Sequence, residues 1–216
     1  SLGNDWVDFG DVLDMTGSFS IGGWVYNNGC ESTTILSKRG SNSSTQNNGF
    51  HLSVDNFSGV DEFVFSLQAT DSLLSASGVY VFTTTNDMVS TPLITNQWVH
   101  IVGVFDAGDS ISIYINGQLV KSDITTISSL YDNNAPFLIG SLETPGSWSW
   151  DGKLDDIFIY DKALSSTEIS NIFNTCNIPQ NNLQGYWNFE EGPGSSVVLD
   201  QTVNGNNGTI NGAIYD

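Results

Sequence analysis

The residues able to carry acid–base chemistry are few and poorly spaced for it. Two histidines, His51 and His100, stand among 24 acidic residues and only 5 lysines and arginines. Glycoside hydrolysis needs two carboxyl groups facing each other across the scissile bond. The acidic neighbours in apparent strands or at their edges are Asp61-Glu62, Asp155-Asp156 and Glu190-Glu191. Adjacent strand residues point to opposite faces, so none of these doublets is a ready acid and nucleophile. His100 shares a strand face with Trp98, Val102 and Val104, which predicts a packed, hydrogen-bonded core histidine rather than a general base. His51, between Phe50 and Leu52, could face a ligand surface but is read as structural. No serine has a nucleophile-elbow context, and neither cysteine lies near a histidine in sequence. No catalytic residue is expected.

Recognition chemistry is better represented. Sugars offer CH faces to aromatic rings and hydroxyls to amides and carboxylates. Trp24, Trp98 and Trp187 fall in core-strand patterns and are read as core. Ser147-Trp148-Ser149-Trp150-Asp151 follows Pro145-Gly146 in a loop; in an extended chain both indoles would point the same way. Trp148 is the leading candidate for a ligand aromatic, with Trp150 beside it. Trp6, flanked by Asp5 and Asp8, and Tyr131, next to Asp132, are further candidates. The run Asp200-Gln201-Thr202-Val203-Asn204-Gly205-Asn206-Asn207-Gly208 sets oxygen side chains on a glycine-bearing loop. Calcium takes such ligands in flexible geometry, and an ordinary Asn/Gly turn is the competing reading. Asp200, Asn204 and Asn207 are the candidate metal ligands from this loop.

Charge narrows the partners. The formal net charge of the 216-residue chain is -19. Five cations cannot form a basic patch, which argues against nucleic acid and anionic membrane surfaces. Polarity comes mainly from Asn, Ser, Thr and Gly, which favour turns and strand surfaces over helices. Cys30 and Cys176 match no zinc spacing. An even pair in such a chain suggests a disulfide in a secreted protein, with two free thiols as the alternative. No transmembrane run is present, and the chain reads as a fragment of a larger secreted or cell-surface protein, monomeric within it.

The elements that must position these residues are strands. Short alternating or apolar runs recur between turn residues: 19–26, 49–54, 63–67, 79–82, 98–105, 110–115, 118–120, 137–140 and 154–160. Asn116-Gly117 between two of them is a two-residue hairpin signal, because both positions need positive φ. Roughly a dozen such strands predict an all-β, two-sheet antiparallel β-sandwich or jelly roll. Ser165-Ser166-Thr167-Glu168 has a capping-box pattern. Ile169, Ile172 and Phe173 then share one helical face, predicting one short helix packed on the sandwich edge. The segment from Gly40 to Gly49 has no apolar residue before Gly49 and is expected to be mobile.

Four segments, in order, resemble the laminin-G-like, concanavalin-A-like lectin and glucanase superfamily of bacterial secreted proteins. They are Gly17–Val25, Gln97–Asp106, Ile113–Gly117, and Gly152–Tyr160 followed by Lys162–Ser165 and Glu168-Ile169. The tail, Gly185–Gly192 and Asp200–Ile210, is similar to the segment that usually opens this domain. The resemblance therefore implies a single sandwich over 1–216, circularly permuted, with 183–216 completing the sheets; a truncated second repeat is the alternative. It implies a structural calcium with Asp155 as a further ligand, and an aromatic packing role for Trp150. The Glu-x-Asp-x-x-Glu run of sandwich-fold glucanases is absent, as are the Arg-rich and Gln-Ile-His strands of lyases on this fold. A non-catalytic module for polysaccharide or glycan is the expected function. A protein-interaction, adhesion or spacer domain is the alternative, and a hydrolase or lyase ranks third.

Overall fold

A computed structural model describes residues 5–30, 32–40, 49–57, 59–74, 80–130, 132–142 and 146–215. The strands are β1 (Trp6–Asp8), β2 (Phe19–Asn27), β3 (Thr33–Arg39), β4 (Gly49–Phe57), β5 (Val60–Leu74), β6 (Tyr80–Pro92) and β7 (Trp98–Asp106). They continue with β8 (Ser110–Ile115), β9 (Gln118–Ile124), β10 (Leu138–Ile139), β11 (Gly152–Tyr160), β12 (Leu183–Trp187), β13 (Val197–Val198) and β14 (Gly208–Asn211); the helix α1 spans Ser166–Thr175. An eight-stranded sheet runs β13-β14-β1-β10-β3-β4-β5-β6, and a six-stranded sheet runs β12-β11-β2-β7-β8-β9. All pairings are antiparallel, which is the predicted sandwich.

Alternation along each strand builds the core. Phe19, Ile21 and Val25 of β2, Val99, Ile101 and Phe105 of β7, and Ile111 and Ile113 of β8 face inward from one sheet. Phe50, Leu52 and Val54 of β4 and Phe63, Phe65 and Leu67 of β5 meet them from the other. Phe19 joins the two layers, with ring centroids 4.7 Å from Phe50, 6.1 Å from Phe65 and 5.6 Å from Phe105. The Asn116-Gly117 turn has φ of 49° and 77°, the left-handed geometry that the hairpin requires.

The tail contributes to both sheets. Tyr186 and Trp187 of β12 pair with Phe158 and Ile157 of β11. β14 pairs with β1, Val7 opposite Ile210. Trp187 is fully buried, its centroid 4.7 Å from Phe9 and 5.5 Å from Phe137.

The helix forms as its cap predicts: the Ser165 side chain accepts from the Glu168 amide, and the Glu168 carboxylate accepts from the Ser165 amide. It does not sit on an edge. Ile169 and Ile172 pack with Val102, Val104, Tyr114, Phe158, Tyr160 and Leu183 on the outer face of the six-stranded sheet. That cover explains why β7 is buried on both faces. His100 lies under it, among Trp24, Phe158 and Phe173. The expected hydrogen bond is missing: neither ring nitrogen has a partner, and the rings around it come from β2, β11 and the helix.

The expected Cys30–Cys176 disulfide is not formed. The Cys30 thiol donates to Asp151 Oδ2 at 2.8 Å. Cys176 caps the end of α1 in the left-handed conformation, exposed. Residues 41–48, where mobility was expected, lie outside the described residues. No described helix is long and apolar enough to cross a membrane.

Burial lowers the pKa of His100 to about 4, and burial with Arg39 nearby does the same for His51. Both ordinarily titrate near 6.5, so between pH 6.5 and about 4 the unfolded chain takes up protons that the native chain refuses. Native stability should fall as pH drops through that window. His100→Phe is expected to raise the melting temperature at pH 5 by more than at pH 8. Thermal melts across pH 4–8 check this, and equal gains at both ends would refute it.

Candidate functional site

A cavity of about 560 Å³ opens at one end of the sandwich, between β1 and β10 on one side and the start of β11 on the other. The tail closes it through Phe189, Glu190, Val198, Ile210 and Tyr215. Its volume falls in the range of ligand pockets. Five aromatic residues line it: Trp6, Trp98, Trp150, Phe189 and Tyr215. Among the described residues, so do three carboxylates, Asp5, Asp155 and Glu190, and one cation, Lys153.

Each wall residue is placed by local structure. Trp98 opens β7 at the end beyond the helix cover and remains 42% exposed, its ring edge on Tyr26 at 5.9 Å. Trp150 is buried; its amide bonds to Gly140 O and its indole N–H reaches Lys153 O at 3.4 Å. Asp155 precedes a bulge in β11, where the pairing with β2 shifts between Asp155 and Phe158 and Asp156 takes φ 49°. Gly23 of β2 permits the bulge, since a Cβ there would meet Ile157 Cδ1 at 2.6 Å and the carbonyls of Asp155 and Asp156 at 3.0 Å. The bulge separates the two acids. Asp155 lines the cavity, while Asp156 accepts from the Tyr186 hydroxyl.

The electrostatics are those of a crowded anionic wall. Desolvation, then Asp156 and Glu190, push the Asp155 carboxyl up to about 6, against one amide bond from Asp156 that favours the charge. Tyr215 donates to Glu191 and its phenol titrates well above its ordinary value, chiefly through burial.

The sequence-chosen aromatics separate. Trp6 and Trp150 line the cavity. Trp148 does not; it is 52% exposed with φ 50°, so the chain is not extended there and the expected parallel pair of indoles fails. Its carbonyl accepts from the Thr34 amide at 2.8 Å, tying the loop to β3. Asp132 is exposed elsewhere, beside Asp14 and Asp11, and Asp14 above all pushes its carboxyl up. Those two aspartates flank the buried Lys38 ammonium, each at 3.0 Å. Tyr131 lies outside the described residues. Sequence reasoning placed Trp98 in the core and did not select Asp5, Phe189, Glu190 or Tyr215. Trp98 could have been found from its position as the first residue of its strand; the others face the cavity only because the tail returns to β1.

The candidate calcium ligands do not converge. Asp200 is buried, and its four acceptor positions are taken: Oδ1 by the amides of Tyr186 and Thr202 at 3.1 and 2.9 Å, Oδ2 by the Thr202 hydroxyl and the Asn206 amide at 2.8 and 2.9 Å. Asn207 Oδ1 accepts from the Asp200 amide. The Asn204 and Asn206 side chains both donate to Gln184 O. Asp155 stands in the cavity, and Asn204 lines a separate depression with Asp14, Asp161 and Gln184. Among the described residues, no group of three His, Cys, Asp or Glu could hold a metal. The loop is organised by its own amides, and these residues do not fit a calcium ion.

Two outcomes follow. Excess chelator should leave the melting temperature unchanged, and a drop of several degrees would restore a metal to this loop. Asp155 binds its proton more tightly in the native state than at its ordinary value of 3.8, so it makes native stability fall as pH rises from about 4 to about 6. Asp155→Asn should raise the melting temperature at pH 8, with the gain vanishing near pH 4; a loss at pH 8 would contradict the assignment.

A family model described as the concanavalin A-like lectin/glucanases superfamily matches residues 2–170. No curated protein matches the chain. Among solved structures, it is similar to a Bacteroides ovatus protein named as a candidate carbohydrate binding protein, at 19% identity and TM-score 0.68. That alignment covers 99% of this chain, which spans 58% of the Bacteroides ovatus one. It is also similar to domain 4 of AbnA, a GH43 extracellular arabinanase from Geobacillus stearothermophilus, in complex with arabinotriose. There the identity is 18%, the TM-score 0.50, and the coverage 76% of this chain and 69% of the other. A third is the CBM40 of the Ruminococcus gnavus IT-sialidase, at 13% identity and TM-score 0.51, covering 74% and 84%. At these identities the structures speak for the fold, and the family match carries the assignment: the chain belongs to the concanavalin A-like lectin/glucanases superfamily.

Proposed function

We propose that this chain is a non-catalytic carbohydrate-binding domain of a secreted or cell-surface protein, and that the cavity between β1, β11 and the tail holds the glycan. The observation that carries this reading is the wall itself. Trp6, Trp98 and Trp150 stand beside Asp5, Asp155 and Glu190 in one cavity, combining apolar faces for sugar CH groups with acceptors for hydroxyls. The family and the carbohydrate-directed names of the similar structures support it. Trp148, exposed on its loop, offers a second contact for a longer chain.

The alternative, a protein-interaction domain, draws on a different surface. β9 is an edge strand exposed along its whole length, with Leu119, Val120 and Ile124 open to solvent. Unpaired edge amides and carbonyls of this kind can accept another strand.

A panel of plant, algal and host polysaccharides, assayed by affinity electrophoresis with a reducing-sugar assay in parallel, separates the readings. Retention by one glycan class without sugar release is expected. Trp98→Ala should weaken that retention about tenfold, equivalent to about 1.4 kcal/mol, with little change in melting temperature. Sugar release would indicate catalysis. Silence across the panel from folded protein would shift the reading to the β9 edge.

A further inference from the structure

The cavity also carries information about which glycans it admits. Among the described residues, its titratable groups come from several elements around it: Asp5 before β1, Lys153 and Asp155 of β11, Glu190 after β12, and the Tyr215 phenol near the end of the tail. Asp156, next to Asp155, adds its charge from behind the wall. Among the described residues, three carboxylates line the space against one lysine ammonium, in a chain with 24 acidic and 5 basic residues. Asp155 is half-buried at the start of the bulge, and Glu190 stands exposed across from it on the tail.

We propose, resting on the glycan reading above, that the Asp155–Glu190 wall makes this a site for uncharged glycans and excludes those bearing uronate, sialate or sulfate groups.

Electrostatics sets this preference. A bound anionic sugar would bring a further negative charge into a space whose carboxylates already repel each other, and no arginine lines it to accept a carboxylate or sulfate in the two-pronged way such groups are usually held. The field is felt within the site: burial first, then the charges of Asp156 and Glu190, push the Asp155 carboxyl above its ordinary value. An uncharged sugar meets no such penalty, since its hydroxyls donate to carboxylates and its ring faces pack on the exposed Trp98 indole. The charge of the whole chain also repels polyanions at long range, but that part is screened. At 0.5 M salt the screening length is about 4 Å, so discrimination that survives there comes from groups lining the cavity.

The test uses the full chain and two sets of probes. The uncharged set is arabinan, galactan, xylan, mannan and β-glucan; the anionic set is polygalacturonate, alginate, hyaluronate, carrageenan and sialylated mucin. Retention is measured at 50 mM and 0.5 M NaCl. Binding confined to the uncharged set at both salt concentrations is expected. In the Asp155→Asn/Glu190→Gln double variant, with Glu190→Gln alone as a second variant should the pair disturb folding, the preference for uncharged over anionic probes should shrink about tenfold. Tighter retention of an anionic probe by the natural chain at 0.5 M NaCl overturns the inference and leaves the glycan reading standing. An undiminished preference in the variants overturns it as well, because the charge responsible would then lie elsewhere. Failure to retain any probe in either set removes the glycan reading and this inference together.

Discussion

Burial of Trp187 between the sheets is the contact on which the site depends. The indole packs against Phe9, just after β1, and Phe137, just before β10, and its N–H donates to Asn206 O at 2.9 Å. Those contacts fasten the tail to both the first strand and the middle of the larger sheet. The cavity is made from the same three segments, through Trp6, Ile139 and Phe189. Truncating a buried tryptophan costs on the order of 3–5 kcal/mol. Here the loss would be local as well as global, since three cavity walls share that one anchor.

Two aspartates show how environment decides what one side chain does. Asp200 is surrounded by donors and has no acceptor left for a ligand or an ion; it serves as the hub of a turn. Asp155 receives one amide bond and faces other carboxylates across the cavity. Both were singled out from sequence for the same metal. Residue type was read correctly in each case, and the amide supply around it was not legible, because it depends on where backbone N–H groups point in the folded turn.

Much of the fold was legible because its signals are local. Strand alternation, the Asn116-Gly117 turn and the Ser165/Glu168 cap each lie within a few residues, and each formed as read. What failed required long-range information. The seat of α1 on the outer face of the six-stranded sheet, the bare His100 ring and the separate places of Cys30 and Cys176 are set by which surfaces meet. The cavity divides the same way. Trp6 and Trp150, chosen by type and context, line it, whereas Trp98, read as core, lines it too because the same strand that buries Val99 and Ile101 leaves its first residue beyond the helix.

Three of the six tryptophans line one cavity, and Trp187 is sealed in the core. The molecule thus contains its own optical reporter. A ligand entering beside Trp98, 42% exposed, would displace water from an indole whose emission depends on polarity, over a background supplied by the tryptophans outside the cavity. Occupancy of the cavity is in principle visible in unlabelled protein.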